Sequence, residues 1–200
     1  MNFVGTATKL SDDDISSVAA ELGVEEAALR AVLAVETGGS GFDHANRPKA
    51  LFERHYFYKF LSALPDKQAK AMEQGLAYPK WGQKPYPRGS EAVYAEITAA
   101  CDIDEDAALR SVSWGLGQIM GNNFLAAGCD SVTQMVEEAC ESELNQLKQM
   151  AAFISLSGLL QKLKDKDWVG FARGYNGPGY ANNAYDVKLA NNYGKFAIVA

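Results

Sequence analysis

A glutamate that shares a helix face with apolar residues is the first sign of chemistry in this chain. Glu25 and Glu26 open a run in which Leu29, Val32, Leu33 and Glu36 fall at i, i+3, i+4 and i+7, until Gly38, Gly39 and Gly41 break the pattern. A carboxylate on a core-facing stripe loses hydration, and in the last helical turn it also meets the negative end of the macrodipole. Both effects disfavour the ionised form and raise the pKa. A carboxyl that keeps its proton near neutral pH can serve as a general acid. The same periodicity is equally met by a Glu36 that frays outward into solvent. The Gly-Gly-Ser-Gly run favours the acid, because glycine lets a ligand approach the backbone closely and leaves a cleft edge open.

Other chemistries find little support. His44 and His55 are the two histidines, and no HExxH or HxxxH pairing occurs, so a metal would need an unusual ligand set. Cys101, Cys129 and Cys140 are odd in number and form no CxxC. Both histidines precede every cysteine, which is the reverse of the papain-like order. The cysteines are therefore read as buried small apolar residues, and no metal or other cofactor is expected.

The elements that must hold these residues follow from composition and pattern. Two hundred residues, 48% hydrophobic and 22% charged, suit one globular domain. The net charge of -6 disfavours nonspecific binding to nucleic acid or an anionic membrane. The longest uncharged stretch, Ser111 to Cys129, carries Gly115, Gly117, Gln118, Gly121, Asn122 and Asn123, which a bilayer would not accept. The segment Met1 to Gly5 has neither a basic nor an apolar leader region, so synthesis in a cytosol is the expectation.

Ser11 with Asp12, Asp13 and Asp14 caps a first helix that ends at Gly23. Residues 38–55 read as a Gly-rich loop followed by a short extended piece at Ala50 to Arg54. Helix resumes over Tyr56 to Leu64, and an aromatic, Pro-rich loop spans Tyr78 to Ser90. Further helices are predicted at Glu91 to Ala100, Glu105 to Val112 and after Ser131. A strongly apolar, central helix runs through Leu144, Leu147, Ala151 and Ile154, and short ones over Leu159 to Lys164 and Trp168 to Gly174 precede the turn at Gly177 to Gly179. The fold class is mostly α with a small extended lobe.

Three segments also resemble a known family. Val35-Glu36-Thr37-Gly38-Gly39-Ser40-Gly41-Phe42 with Leu51-Phe52-Glu53-Arg54-His55-Tyr56-Phe57 comes first; Ser113-Trp114-Gly115-Leu116-Gly117-Gln118-Ile119-Met120 and Phe171-Ala172-Arg173-Gly174-Tyr175-Asn176-Gly177-Pro178 follow. In this order they resemble the N-acetylmuramidase family of phage and prophage endolysins, and more broadly goose-type lysozymes and lytic transglycosylases. The resemblance implies a lysozyme-like α fold, and the expectation is a single catalytic domain, residues 1–200, with no counterpart of the separate peptidoglycan-binding module frequent in that family. It implies cleavage of the β-1,4 bond between N-acetylmuramic acid and N-acetylglucosamine, with Glu36 as the acid and Thr37, Gln118, Tyr175 and Asn176 at the substrate.

Glycoside hydrolysis ordinarily takes a second carboxylate, and Glu53 and Asp43 are the candidates. An ion pair of Glu53 with Arg54, Arg47 or Lys49 is the structural alternative, and Asp43 suits a turn. Trp81, Tyr86, Trp114 and Tyr175 are candidate sugar platforms, each with core packing as the competing role. A transglycosylase forming 1,6-anhydro products, or a glycan-binding module without catalysis, stands as the alternative function. The expected partner is peptidoglycan, met by a monomer made in the host cytoplasm and acting in the periplasm or cell wall.

Overall fold

The computed structural model describes residues 1–36 and 39–198, with Glu36 described by its backbone alone. Helix α1 (Asp12–Leu22) opens on a reciprocal cap in which Ser11 accepts the Asp14 N–H and the Asp14 carboxylate accepts the Ser11 N–H. It closes at Gly23 in the left-handed conformation, and α2 (Glu26–Glu36) follows. Then come β1 (Ala50–Phe52), α3 (Arg54–Phe60), α4 (Pro65–Glu73), α5 (Ser90–Cys101) and α6 (Glu105–Arg110). Strands β2 (Val112–Trp114) and β3 (Ile119–Met120) are followed by α7 (Val132–Glu141), α8 (Glu143–Leu156), α9 (Leu160–Lys164), α10 (Trp168–Asn176) and α11 (Tyr185–Ala197). The fold is mostly α, with one small sheet.

The three strands pair antiparallel in the order β1-β2-β3, with Leu51 opposite Ser113 and Trp114 opposite Ile119. The extended piece expected at Ala50 to Arg54 is thus β1, cut short where α3 begins. Its partners come from the uncharged Ser111 to Cys129 stretch, whose glycines hide strand character.

Two apolar clusters fill the interior. One joins Phe52, Phe57, Leu61, Ile97, Leu109, Val112 and Met135 around the sheet. The other joins Val18 of α1, Leu29 and Val32 of α2, Leu147, Met150 and Ile154 of α8, and Phe171 of α10. Phe153 and Tyr175 pack against both, so α8 and the end of α10 run along the seam between them. This makes α8 the central helix that its apolar stripe predicts.

Two expectations are corrected. The helix read over Tyr56 to Leu64 stops at Phe60, and a new one begins at Pro65. Pro at the first helical position costs nothing there, while the residue before it is barred from the α region, and Leu64 accordingly has φ -128 and ψ 71. Helices α4 and α11 lie outside the elements read from periodicity. Helix α4 buries Ala71 alone among the described residues and so carries no apolar stripe, whereas α11 has one outside the periodic runs read from sequence, Tyr185, Leu189 and Tyr193 at i, i+4 and i+8, packed on the second cluster. Among the described residues no helix is long and apolar enough to cross a membrane.

Candidate active site

Glu36 is the last residue of α2, as the periodicity requires. Its side chain lies outside the described residues, and so does Thr37. What the structure does define is the strap that follows them. Gly39 adopts φ +99, a conformation open to glycine, and Gly41 approaches α8 so closely that a Cβ would stand 2.0 Å from Gln146 Oε1.

The strap is held by Glu143, at the start of α8. This carboxylate is 5% exposed. Its Oε1 accepts from the Gly41 N–H at 2.8 Å, the Ser40 hydroxyl at 3.0 Å and Lys9 Nζ at 3.3 Å, while Oε2 accepts from the Leu10 N–H at 2.9 Å. Burial pushes the carboxyl pKa up, but these donors outweigh it and hold the group below its ordinary range. Sequence reasoning missed Glu143, although the signal existed. It shares the α8 stripe with Leu147, Met150 and Ile154 at i+4, i+7 and i+11, as Glu36 shares that of α2.

A second turn meets the strap from the sheet. The Lys49 N–H donates to Gly41 O at 2.7 Å, and the Gly115 N–H donates to Lys49 O at 2.8 Å. Gln146 lies beneath, taking the Leu116 N–H on Oε1 at 2.8 Å and giving its amide N–H to Ala139 O at 2.7 Å. Gly115 has φ +66, and a Cβ there would come within 2.7 Å of the Gln146 side chain. Glycine at this position is demanded by both backbone and space.

Gln118 closes the turn at φ +47, a strained value for a residue with a Cβ. Its Nε2 donates to Gly115 O at 2.9 Å and Lys49 O at 3.3 Å, which offsets that strain. With both amide hydrogens spent on the backbone, Gln118 can offer a sugar only its Oε1. Tyr175 reaches the same turn from α10 and donates its hydroxyl to Gly117 O at 2.8 Å. Its ring stacks on Phe171 at 5.5 Å and meets the edge of Phe153 at 5.7 Å. Asn176 ends α10, with its side-chain oxygen buried.

Glu53 stands at the other end of β1, where its N–H donates to Ser111 O at 2.8 Å. The ion pairs suggested for it with arginine do not form. Arg54 makes a two-pronged bond to Glu96 at 3.0 and 2.7 Å, and Arg47 is taken by Asp43 and Glu91. Glu53 Oε2 instead accepts the Tyr86 hydroxyl at 2.6 Å and lies 3.3 Å from His55 Nδ1, while Trp81 Nε1 donates to Tyr86 Oη at 3.1 Å. The loop from Tyr78 to Ser90 therefore folds back onto Glu53. Arg54, 5% exposed, clamps it by donating to the carbonyls of Lys84 and Pro85 at 3.3 and 3.2 Å.

The remaining candidates are structural. Asp43 organises its own turn, accepting from the Ala45 and Arg47 N–H groups at 2.9 Å, from the Arg47 side chain and from the Ser90 hydroxyl. Burial raises its carboxyl pKa, and these donors more than reverse that. Trp114 is no sugar platform: it is buried, stacks on Phe3 at 5.8 Å and donates its indole N–H to Leu109 O. Cys129 and Cys140 are buried and Cys101 half-buried; burial pushes their thiols up to about 11, about 12 and about 11, so thiolate chemistry is disfavoured.

The sequence model of the Muramidase family, described as N-acetylmuramidase, matches residues 25–197. Among solved structures, the chain is similar to the crystal structure of Burkholderia AP3 phage endolysin, with a TM-score of 0.85 and 38% identity over 94% of this chain and 72% of that one. No curated protein sequence matches. The matched span includes α2, the Gly115–Gln118 turn and the end of α10, so all three signature segments lie inside it. With its lysozyme-like, mostly α fold, this chain belongs to the N-acetylmuramidase family.

Proposed function

We propose that this protein is a peptidoglycan-degrading endolysin that hydrolyses the β-1,4 bond between N-acetylmuramic acid and N-acetylglucosamine. Membership in the N-acetylmuramidase family and likeness to a phage endolysin support the substrate class. The observation that carries the reading is a network around the Gly-rich turn: the Lys49 N–H donates to Gly41 O, the Gly115 N–H to Lys49 O and, two residues further along the chain, the Tyr175 hydroxyl to Gly117 O. It joins the strap after Glu36, the Gly-rich turn and the end of α10, which are far apart in sequence and meet around one turn.

In this reading Glu36 protonates the leaving oxygen of the scissile bond, and the carboxylate of Glu53 activates water or stabilises the oxocarbenium-like sugar. Glu53 Oε2 is held by Tyr86, while Oε1 has no hydrogen-bond partner among the described residues and remains open to a water or a sugar. Thr37, Asn176 and the Oε1 of Gln118 bind the N-acetyl and hydroxyl groups. Tyr175 supports the turn they share. The protein acts as a monomer, made in the host cytoplasm and working on the cell wall after release.

Digestion of purified sacculi followed by mass spectrometry of the released muropeptides tests this. Reducing N-acetylmuramic ends are expected. Reducing N-acetylglucosamine ends would move the cut to the other bond, 1,6-anhydro ends would mean transglycosylation, and no release at all would leave a binding module.

A further inference from the structure

We propose that Trp81 forms a sugar-stacking platform beside Glu53, and that Tyr86 is a positioning residue that fixes the Glu53 carboxylate. The inference rests on the muramidase reading and deepens it, assigning the Tyr78 to Ser90 loop a place in substrate handling.

Trp81 is 70% exposed, although tryptophan is among the most buried residues on average. An irregular loop with such a residue is ordinarily mobile. This one is anchored: Arg54 bonds two successive carbonyls, Lys84 Nζ donates to Gly75 O at 3.2 Å, and Lys84 also pairs with Glu96 at 3.7 Å. The ordering cost of the loop is thus met within the fold before any ligand arrives. Only the edge of the indole is engaged, through Nε1 to Tyr86 Oη, and its faces meet no aromatic ring or cation among the described residues. A flat apolar face next to a carboxylate suits the C–H face of a pyranose ring whose polar groups turn toward that carboxylate.

The hydrogen bonds also have a fixed sense. Tyr86 has one proton, which goes to Glu53 Oε2, so its oxygen accepts from Trp81. Burial, reinforced by the Glu53 carboxylate, raises the Tyr86 pKa to about 12, so the phenol stays a donor at neutral pH. The phenol therefore fixes the carboxylate through Oε2 and leaves Oε1 without a hydrogen-bond partner among the described residues. The half-open hollow between the loop and α3 has only about 10 Å³, room for about one water molecule, so a sugar meets the outer face of Trp81 rather than entering beneath it.

Steady-state kinetics on soluble, uncrosslinked glycan strands separate the two roles. Tyr86→Phe is expected to lower kcat about tenfold, because it frees the carboxylate, and to raise KM less than Trp81→Ala does, because the indole loses its Nε1 partner but keeps its ring. Trp81→Ala is expected to raise KM about tenfold, and Trp81→Phe to return KM most of the way by restoring a ring. Thermal midpoints of all three should stay near that of the parent. A parental kcat in Tyr86→Phe, a parental KM in Trp81→Ala, or a Trp81→Phe no better than alanine overturns the proposal. An unsubstituted chain that releases no reducing ends fails at the muramidase reading instead, which distinguishes the two.

Discussion

The Tyr175 hydroxyl donates to the carbonyl oxygen of Gly117 at 2.8 Å, binding the last turn of α10 to the Gly-rich turn that carries Gln118. Gly117 is needed for this approach, since a Cβ there would lie 3.0 Å from Tyr175 Oη and 3.0 Å from Met150 Cγ. Tyr175→Phe keeps the ring contacts with Phe171 and Phe153 and loses the hydrogen bond to Gly117, a bond with a net worth of about 0.5–1.5 kcal/mol. The midpoint should fall by roughly 1–6 °C, and kcat by more than that stability loss alone would give, because the turn is freed next to the substrate. Melting curves and turbidity clearance on one preparation check this; an unchanged clearance rate would make the bond purely architectural.

Glu143→Gln should destabilise the protein in a way that depends on pH. The Leu10 and Gly41 N–H groups bond opposite oxygens of this carboxylate, so either orientation of a glutamine amide sets its NH2 group against a backbone donor. The cost is about 1–3 kcal/mol for a buried donor left without a partner. Glu143 has a folded-state pKa below its ordinary 4.5, so its contribution is complete above that value and is lost as pH falls through the folded value. The gap in midpoint between parent and variant should be widest at neutral pH and narrow below about pH 4.5. A gap that does not change with pH would show that the charge of Glu143 is immaterial.

Glu36→Gln should leave the fold intact and remove nearly all lysis, because glutamine keeps the shape and has no proton to give. General acid catalysis supplies about 10²- to 10⁴-fold in rate, so a variant that retained half the activity would exclude Glu36 as the acid.

Neither a chelator nor a thiol reagent should slow lysis. Among the described residues no three His, Cys, Asp or Glu side chains gather closely enough to hold a metal ion, and burial holds all three thiols largely protonated at neutral pH. Turbidity assays after dialysis against a chelator, and after incubation with iodoacetamide, check both. Recovery of lost activity on adding zinc would require a ligand set outside these residues.

What was legible in the sequence is set by what periodicity can encode. The caps at Ser11 and Ser131 and the stripes of α1, α2 and α8 are local signals, and the structure keeps them. Helix α11 is legible only in part: Tyr185, Leu189 and Tyr193 recur at i, i+4 and i+8, but only Leu189 is fully buried and most of the residues between them are polar. The strands β2 and β3 are short, and the pairing of β2 with β1 and of β3 with β2 is stated by no local pattern. At the site, the order of the three signature segments is visible in sequence, but the exchange of partners is not. Glu53 and Arg54 are neighbours in the chain, yet Arg54 reaches across to Glu96 and leaves Glu53 to a tyrosine from a distant loop. Gln118 likewise reads as a sugar ligand, whereas its left-handed backbone spends its amide hydrogens on Gly115 and Lys49.

Glu53 offers the sharpest test of mechanism. Its partners are Tyr86 and His55 rather than the two arginines, so replacing it removes no arginine ion pair. Glu53→Gln still accepts from Tyr86 through its amide oxygen, and the midpoint should move little, within about 1 kcal/mol of stability. If the carboxylate activates water or stabilises the oxocarbenium-like state, kcat falls while KM holds, since the charge acts in the transition state rather than in binding. Products then separate the two roles. A base for water, once lost, leaves acid-assisted departure of the leaving group intact, and 1,6-anhydro ends should rise as the sugar's own 6-hydroxyl attacks. A stabiliser of the oxocarbenium-like sugar, once lost, slows turnover without a new product. Unchanged kcat and unchanged products would remove Glu53 from the chemistry. Asp43, with its oxygens committed to Ser90, Arg47 and the backbone of its own turn, is poorly placed to succeed it, and a single-acid mechanism through Glu36 would be left.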